Sequence, residues 1–484
     1  MNIELIPSAK RLIRSLRDIG YEFVDAVADI VDNAVEAEAT AINITLNFDG
    51  EESYLTIADN GVGMASKEVQ EALRFGSNRT YGESEDLGRY GLGLKTASLS
   101  QAEKLTVSSR RSEERARIIS YCWSLEHIDK TNRWEILKIE TEDLKKEVRQ
   151  HLHETTGTVV TWERLGRLLG YKYPAGEHAK KQAVQMAESL KIHLGMIFHR
   201  FLSGEIFNKR IAIYINNEKV SPWDPYSRGE KNTVPLATIH IPLDYDEDIY
   251  SVKLQPYILP PQSLFSSTKA HLQASGPGKW NKQQGLYIYR SNRLIQAGGW
   301  SGLRTSDEHT KLVRIALFIP SQLDEIFQVN VAKKQATLPR ELRAAILKKI
   351  QPVILRAQEV YREKSEKQNL TSATENKEKN NYQNHLKISN EISHKQAENR
   401  LPNTPNKTDI FSFEKLDNLF NELIKNTPQK VEHKEFKAII IKILNLATME
   451  EKFILQQVIE RYISLGNIKN KSNPTLKSES IQNQ

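Results

Sequence analysis

The sequence predicts an α+β chain of several domains. Three observations lead there. Segments with apolar residues at helical spacing alternate with segments of apolar and polar residues in alternation. Strand-like segments come in two blocks separated by a long helical stretch. Over residues 364–408 the apolar pattern lapses. At 484 residues the chain is long enough for two or three domains with their own cores.

The elements follow in chain order. "YEFVDAVADIVDNAVEAEA" carries apolar residues at helical spacing, and "AINITLNF" and "SYLTIADNG" alternate as strands do. "KLTVSSRR", "RARIISYCW" and "GTVVTWERL" continue the strands, and these segments make up a first domain over 1–170. "EHAKKQAVQMAESLKIHLGMIFHRFL" reads as one long helix opening a second domain over 171–363. In that domain "KRIAIYINNEKV" and "GLYIYRSNRLI" are strand pairs, and "FQVNVAKK" is a further strand running into a turn. "PRELRAAILKKIQPVILRAQEVYREK" closes it as a helix with Pro339 suited to the first turn.

Residues 364–408 are rich in Asn, Lys, Glu and Gln. They bury too little apolar surface to offset their chain entropy, so they are expected to form a flexible, disordered linker. The amphipathic stretches "FSFEKLDNLFNELI", "EFKAIIIKILNLA" and "EKFILQQVIERYISL" predict a small helical module over 409–468, with a disordered tail over 469–484.

Bulk properties exclude some classes. A net charge of +7 spread over this length permits nucleic-acid contact without demonstrating it. The single cysteine, Cys122, rules out an internal disulfide and cysteine-based zinc sites, and is expected to be a buried small hydrophobe. The first residues carry charges throughout, unlike a secretory leader, and no apolar run approaches a membrane span. A cytoplasmic protein without membrane contact is expected. His151 and His153 form an HxH pair, placed here on a strand. Spacing suggests no third ligand, so a surface pair is the expectation.

Three motifs carry chemistry. In "DIVDNAVEAEA" the residues Asp29, Asn33 and Glu36 fall four and three apart, which places them on one side of a helix, while Asp25 and Asp32 face other directions. "ADNGVGM" puts Asp59 at a strand end, with Gly61 and Gly63 allowing close approach to the backbone before Met64. An acid there can accept a hydrogen bond from a base amine. "GRYGLGLKTA", with Gly88, Tyr90, Gly91, Leu92, Gly93 and Leu94, leads into a helix start. The free N–H groups there can face phosphate, and Lys95 and Thr96 add donors.

Taken together and in this order, the three motifs resemble those of the GHKL ATPases, the gyrase, heat-shock chaperone, histidine kinase and MutL superfamily. "RFGSNRTY…LGRYGLGLKTASLSQA" is most similar to the bacterial MORC and MutL-like branch. The resemblance implies a GHKL-type (Bergerat) α/β sandwich over most of residues 10–165, followed by a split β-α-β transducer domain. It implies that Asn33 binds Mg²⁺ with the phosphates of ATP, that Asp59 binds adenine with Thr158 nearby, and that Gly88, Gly91 and Gly93 close over the phosphates. "RFGSNRTYGESEDLGRYG" would be the mobile lid, and Lys333 or Lys334 in "FQVNVAKKQATLP" would reach the γ-phosphate.

The family's usual base is Glu four residues before the Mg²⁺-binding Asn. Here that position is Asp29, a carboxylate of nearly the same intrinsic pKa but one methylene shorter. Glu36 is expected to hold water near the metal. The resemblance further implies ATP-driven homodimerisation, DNA as the substrate class, and protein partners such as a nuclease or helicase of a bacterial restriction or anti-phage system. Two rivals stand beside it: a chaperone-like clamp on protein, and a nucleotide-sensing scaffold with little turnover.

Overall fold

The helix "FVDAVADIVDNAVE" explains how the first layer forms. Ala26, Val27, Ala28, Ile30, Val31 and Ala34 are all buried, so small and branched residues let this helix lie close against a sheet. The computed structural model describes residues 5–18, 20–76, 93–111, 117–166, 168–170, 173–328 and 336–362. Its first half contains helices α1 (Ala9–Arg17), α2 (Phe23–Glu36), α3 (Ser66–Leu73), α4 (Gly93–Gln101), α5 (Leu125–Thr131) and α6 (Lys146–Glu154). Between them lie strands β1 (Ala41–Asn47), β2 (Tyr54–Asp59), β3 (Lys104–Arg110), β4 (Ile119–Ser124), β5 (Leu137–Lys138) and β6 (Gly157–Glu163).

Next come α7 (Glu177–Ile197), α8 (His199–Ser203), β7 (Ala212–Ile215) and β8 (Glu218–Lys219). The strands of this half form one sheet in the order β5-β4-β3-β6-β2-β1-β7-β8. All neighbours are antiparallel except β1 and β7, which run parallel.

Period-two alternation sends side chains to two faces of this sheet. Ile57 and Val160 join the main core with α2, α4 and α7, while Ala58 and Val159 pack with Val148 and Leu152 of α6 on the other face. The result is a sheet covered on both faces, as expected of an α/β sandwich. Cys122 is fully buried in β4. The HxH pair lies on helix α6 rather than on a strand, because Val148 and Leu152, four apart, are the residues that seat the segment on the sheet. Among the described residues no His, Cys, Asp and Glu cluster suited to a metal is present.

The expected boundary at residue 170 is displaced. Strand β7 pairs with the outer edge of β1, and Leu190, Leu194, Ile213, Ile215 and Val220 belong to the first core. The segment "IAIYINNEKV" therefore completes the first sheet. Its own pattern marks a hairpin, with Asn216 and Asn217 both in the left-handed region, but the pattern does not name the strand it joins.

The second core is built on β9 (Val234–Pro235), β10 (Ile239–Tyr245), β11 (Asp248–Ile258), β12 (Gly285–Arg290), β13 (Arg293–Ala297) and β14 (Val313–Ile319). Two short helices, α9 (Thr268–Ala274) and α10 (Lys279–Gln283), lie between β11 and β12. The order is β10-β11-β14-β12-β13, with β9 beside β11 and a parallel β12–β14 pair among antiparallel neighbours. A helix over 340–362 places Leu342, Ile346, Ile350, Val353, Ile354 and Ala357 against this sheet. The linker, helical module and tail expected beyond 363 lie outside the described residues. Among the described residues no helix is long and apolar enough to cross a membrane.

Burial predicts which positions are sensitive. Ile44→Ala, at a side chain 1% exposed, is expected to lower the unfolding free energy by about 2–5 kcal/mol. Ile249→Ser, at a position 76% exposed, is expected to change it by under about 0.5 kcal/mol. Urea denaturation followed by tryptophan fluorescence compares the two.

Candidate functional site

The loop after β2 is shaped by close backbone approach. Asn60 accepts through Oδ1 from the N–H groups of Thr40 and Ala41 at 2.9 and 2.8 Å, which ties the loop to the start of β1. The Val62 N–H donates to the carbonyl of Ala37, the residue ending α2, at 3.0 Å. Gly63 has φ +69°, and a Cβ there would lie 2.2 Å from the Arg110 carbonyl oxygen. Only glycine fits that crossing.

The loop presents Asp59. Its Oδ1 accepts from the Gly61 N–H at 2.9 Å and from the Thr158 N–H at 3.2 Å. Among the described residues Oδ2 takes no hydrogen bond. Ser109 supports the arrangement, since its hydroxyl accepts from the Met64 N–H, donates to the Gly157 carbonyl and contacts the Thr158 hydroxyl. His151 brings Nε2 to the Asp59 carbonyl at 2.9 Å, a contact that the reading of a surface pair did not anticipate. Burial pushes the Asp59 carboxyl up to about 6, against the two backbone N–H bonds and the nearby His151, which pull it down.

A second cluster gathers at the middle of α2. Asp29 is buried, and its Oδ2 accepts from the Tyr21 hydroxyl at 3.1 Å. Tyr21 also hydrogen-bonds the Thr96 side chain, and a Cβ on Gly93 would lie 3.6 Å from Asp29 Oδ2. The start of α4 therefore meets Asp29 directly. Burial, followed by the Asp29 charge, drives the Tyr21 phenol well above its usual range, so it stays a neutral donor.

Asn33, one turn further along α2, is exposed, and so is Glu36. Asp32, expected to face away from Asp29, instead shares a partner with it. Arg293 of β13 places Nε 2.9 Å from Asp32 Oδ1 and Nη2 3.8 Å from Asp29 Oδ1. Residues three apart on a helix are neighbours, which is why one guanidinium reaches both. Asp25 pairs with His193 of α7 at 3.1 Å.

Lys95 takes a different place from the one expected. Its ammonium is buried and donates to the carbonyl of Ala72 near the end of α3 at 3.0 Å, with the Phe75 ring 6.0 Å away. A cation at a helix C-terminus is a stabilising arrangement, so this lysine serves the packing of α3 on α4. Burial pulls it down to about 8. Leu94 and Met64 pack against the core. Gly88, Tyr90, Gly91, Leu92, Lys333 and Lys334 lie outside the described residues.

The two clusters sit at different points of one helix. Asp29 and Ala37 are eight residues apart, about 12 Å along the axis. Tyr21, Ser109 and Arg293 were not singled out from the sequence. Tyr21 and Ser109 act through contacts that no local pattern marks, and Arg293 meets α2 only through the fold.

The raised Asp59 carboxyl has a consequence for stability. A carboxyl raised above its unfolded value favours the folded state fully at low pH, and that contribution is lost as pH rises through about 6. Asp59→Asn keeps one acceptor oxygen for both N–H donors and does not ionise. Its melting temperature is expected to gain on wild type between pH 4 and pH 8, with the two curves closest at pH 4. Thermal denaturation across that range reads the difference.

Residues 21–158 match the family model described as "Histidine kinase-, DNA gyrase B-, and HSP90-like ATPase". ATPase morc-1 of Caenorhabditis elegans is 33% identical over 88 residues, 18% of this chain and 10% of that protein. The DNA mismatch repair protein MutL of Kosmotoga olearia is 32% identical over 113 residues, 22% of this chain and 19% of that protein. The match thus spans less than a fifth of each of these relatives. The family match encloses α2, the Asp59 loop, the start of α4 and Thr158, so that over residues 21–158 the chain is similar to the histidine kinase-, DNA gyrase B- and HSP90-like ATPases.

Proposed function

We propose that the chain binds ATP between α2, the Asp59 loop and the start of α4, and hydrolyses it to ADP and phosphate. The observation that carries this reading is Asp59. Two backbone N–H groups hold one carboxylate oxygen, and the other is left as an acceptor for the exocyclic amine of adenine. Asp29, eight residues before the α2 terminus that touches this loop, is the proposed base. It takes a proton from water as the water oxygen attacks the γ-phosphorus and the bond to ADP breaks.

The donor chemistry suits Mg²⁺. Asn33 offers an exposed hard oxygen one turn from Asp29, and magnesium is habitually held by one or two protein oxygens together with substrate phosphates. When bound, the ion would neutralise phosphate charge. Asn33 is its proposed ligand, and Glu36 would hold water nearby.

Family resemblance supports the wider role. One relative is named as a DNA mismatch repair protein. By analogy the chain acts as an ATP-gated dimerising clamp on DNA, with Lys333 or Lys334 reporting the γ-phosphate, and with nuclease or helicase partners in a restriction or anti-phage system. A second reading, a nucleotide sensor with slow turnover, is favoured by one observation: the Asp29 carboxylate already accepts from Tyr21 and lies near Arg293.

Turnover assays on the purified chain separate the two. Asp29→Ala is expected to lower kcat about 100-fold or more while binding of a fluorescent ATP analogue stays within about threefold. Equal phosphate release in mutant and wild type would remove Asp29 as the base. Asp59→Ala is expected to weaken analogue binding about 10-fold or more, and Asn33→Ala to abolish the Mg²⁺ dependence of binding. If both bind as wild type does, the site assignment fails. A DNA clamp is further expected to show DNA-stimulated turnover that fades as salt rises.

A further inference from the structure

The hairpin β12–β13 turns through Ser291 and Asn292, both left-handed with φ of 45° and 69°. Such a two-residue turn is stiff and sets the direction of the residue that follows. That residue is Arg293, 1% exposed although it carries a full charge. The hairpin belongs to the second sheet, yet its tip is fastened to the first domain. Asn292 Oδ1 accepts from Arg200 Nη1 of α8 at 2.6 Å. The Tyr289 hydroxyl meets His199 Nε2 at 2.8 Å. The Arg293 guanidinium lies 5.9 Å from the centre of the Phe198 ring.

The two carboxylates that Arg293 reaches are not equivalent. The short distance, 2.9 Å, is to Asp32, and the long one, 3.8 Å, is to Asp29. Asp32 therefore fixes the guanidinium, and the guanidinium then bounds one side of the Asp29 carboxylate. Tyr21 bounds the other side through Oδ2. A base aimed by two groups keeps its direction only while both stay in place, and displacement by about 1 Å costs on the order of 100-fold in rate.

We propose that Arg293 is a positioning residue: anchored on Asp32, it lets the second domain aim the Asp29 carboxylate. The inference rests on Asp29 being the base of ATP hydrolysis. The route is separate from any contact between the second domain and the phosphates, because it runs through Asp32 and the Asp29 carboxylate. A tilt of the β12–β13 hairpin against α2 then changes turnover without changing how nucleotide is held.

The test uses the full chain and four readouts: kcat, KM, affinity for a fluorescent ATP analogue and melting temperature. The informative variant is Arg293→Gln with Asp32→Asn, which removes both members of the tight pair and leaves neither of them as an isolated buried charge. Its melting temperature is expected within about 3 °C of wild type and its analogue affinity within about threefold, with kcat lowered about 10- to 100-fold. Arg293→Lys keeps the charge without the planar fork and is expected to fall between the two in kcat.

Wild-type kcat in the double variant, with melting temperature and affinity unchanged, overturns the inference. If the double variant fails to fold, Arg293→Lys decides, and unchanged kcat there overturns it equally. Asp29→Ala separates this outcome from failure of the underlying reading. An inactive Asp29→Ala beside a fully active double variant sinks the role of Arg293 alone. An Asp29→Ala variant that turns over as wild type does sinks the base assignment first.

Discussion

Helix α2 takes three carboxylates into the protein interior, and much of the architecture serves to make that tolerable. Asp25, Asp29 and Asp32 are each less than a tenth exposed. An uncompensated buried charge costs several kcal/mol, so each needs a partner. The partners come from separate places: His193 from α7, Tyr21 from the segment ahead of α2, and Arg293 from the second sheet. The helix is thus where the first core, the long helix α7 and the second core are joined electrostatically.

The two acids of the candidate site are handled by opposite means. Asp59 ends a strand and is held by two backbone N–H groups, one in the loop that follows it and one in strand β6. Its desolvation is only partly offset, hence the raised carboxyl. Asp29 sits mid-helix and is bounded by side chains, a hydroxyl on one oxygen and a guanidinium near the other. Backbone support fixes a carboxylate at a constant place, as the proposed recognition of adenine requires. Side-chain support leaves the proposed base open to adjustment from another domain.

Other buried polar groups serve cohesion. The Lys95 ammonium closes the end of α3. Arg314, fully buried, donates to the Gln283 carbonyl and the Tyr287 hydroxyl, and donates to the Ala274 carbonyl at 3.3 Å. His199 is pushed down to about 4 by burial, so it is neutral where it meets Tyr289. In the second sheet and at its junction with α8, Tyr226, Tyr287 and Tyr289 thus provide neutral partners, as Tyr21 does for Asp29 of α2.

Local pattern carried a large part of this molecule. Helical spacing marked α2 and α7, alternation marked β1, β2, β3 and β6, and the Asn216–Asn217 and Ser291–Asn292 pairs marked tight hairpins, because these signals depend on residues within a few positions of one another. The Asp-Asn-Gly turn was legible for the same reason: its glycines answer a backbone demand made within the loop and at its immediate crossing. What the sequence could not express is which distant surface completes a local one. Strand β7 looked like part of the second domain until it was seen to pair with β1. Lys95 looked like a phosphate donor until its stem was seen to run to α3. His151 looked like a surface residue until it met the Asp59 carbonyl. Arg293 is marked by no local pattern, and only tertiary packing brought it to Asp29 and Asp32, since pairing between buried charges depends on proximity in space, which periodicity along the chain does not encode.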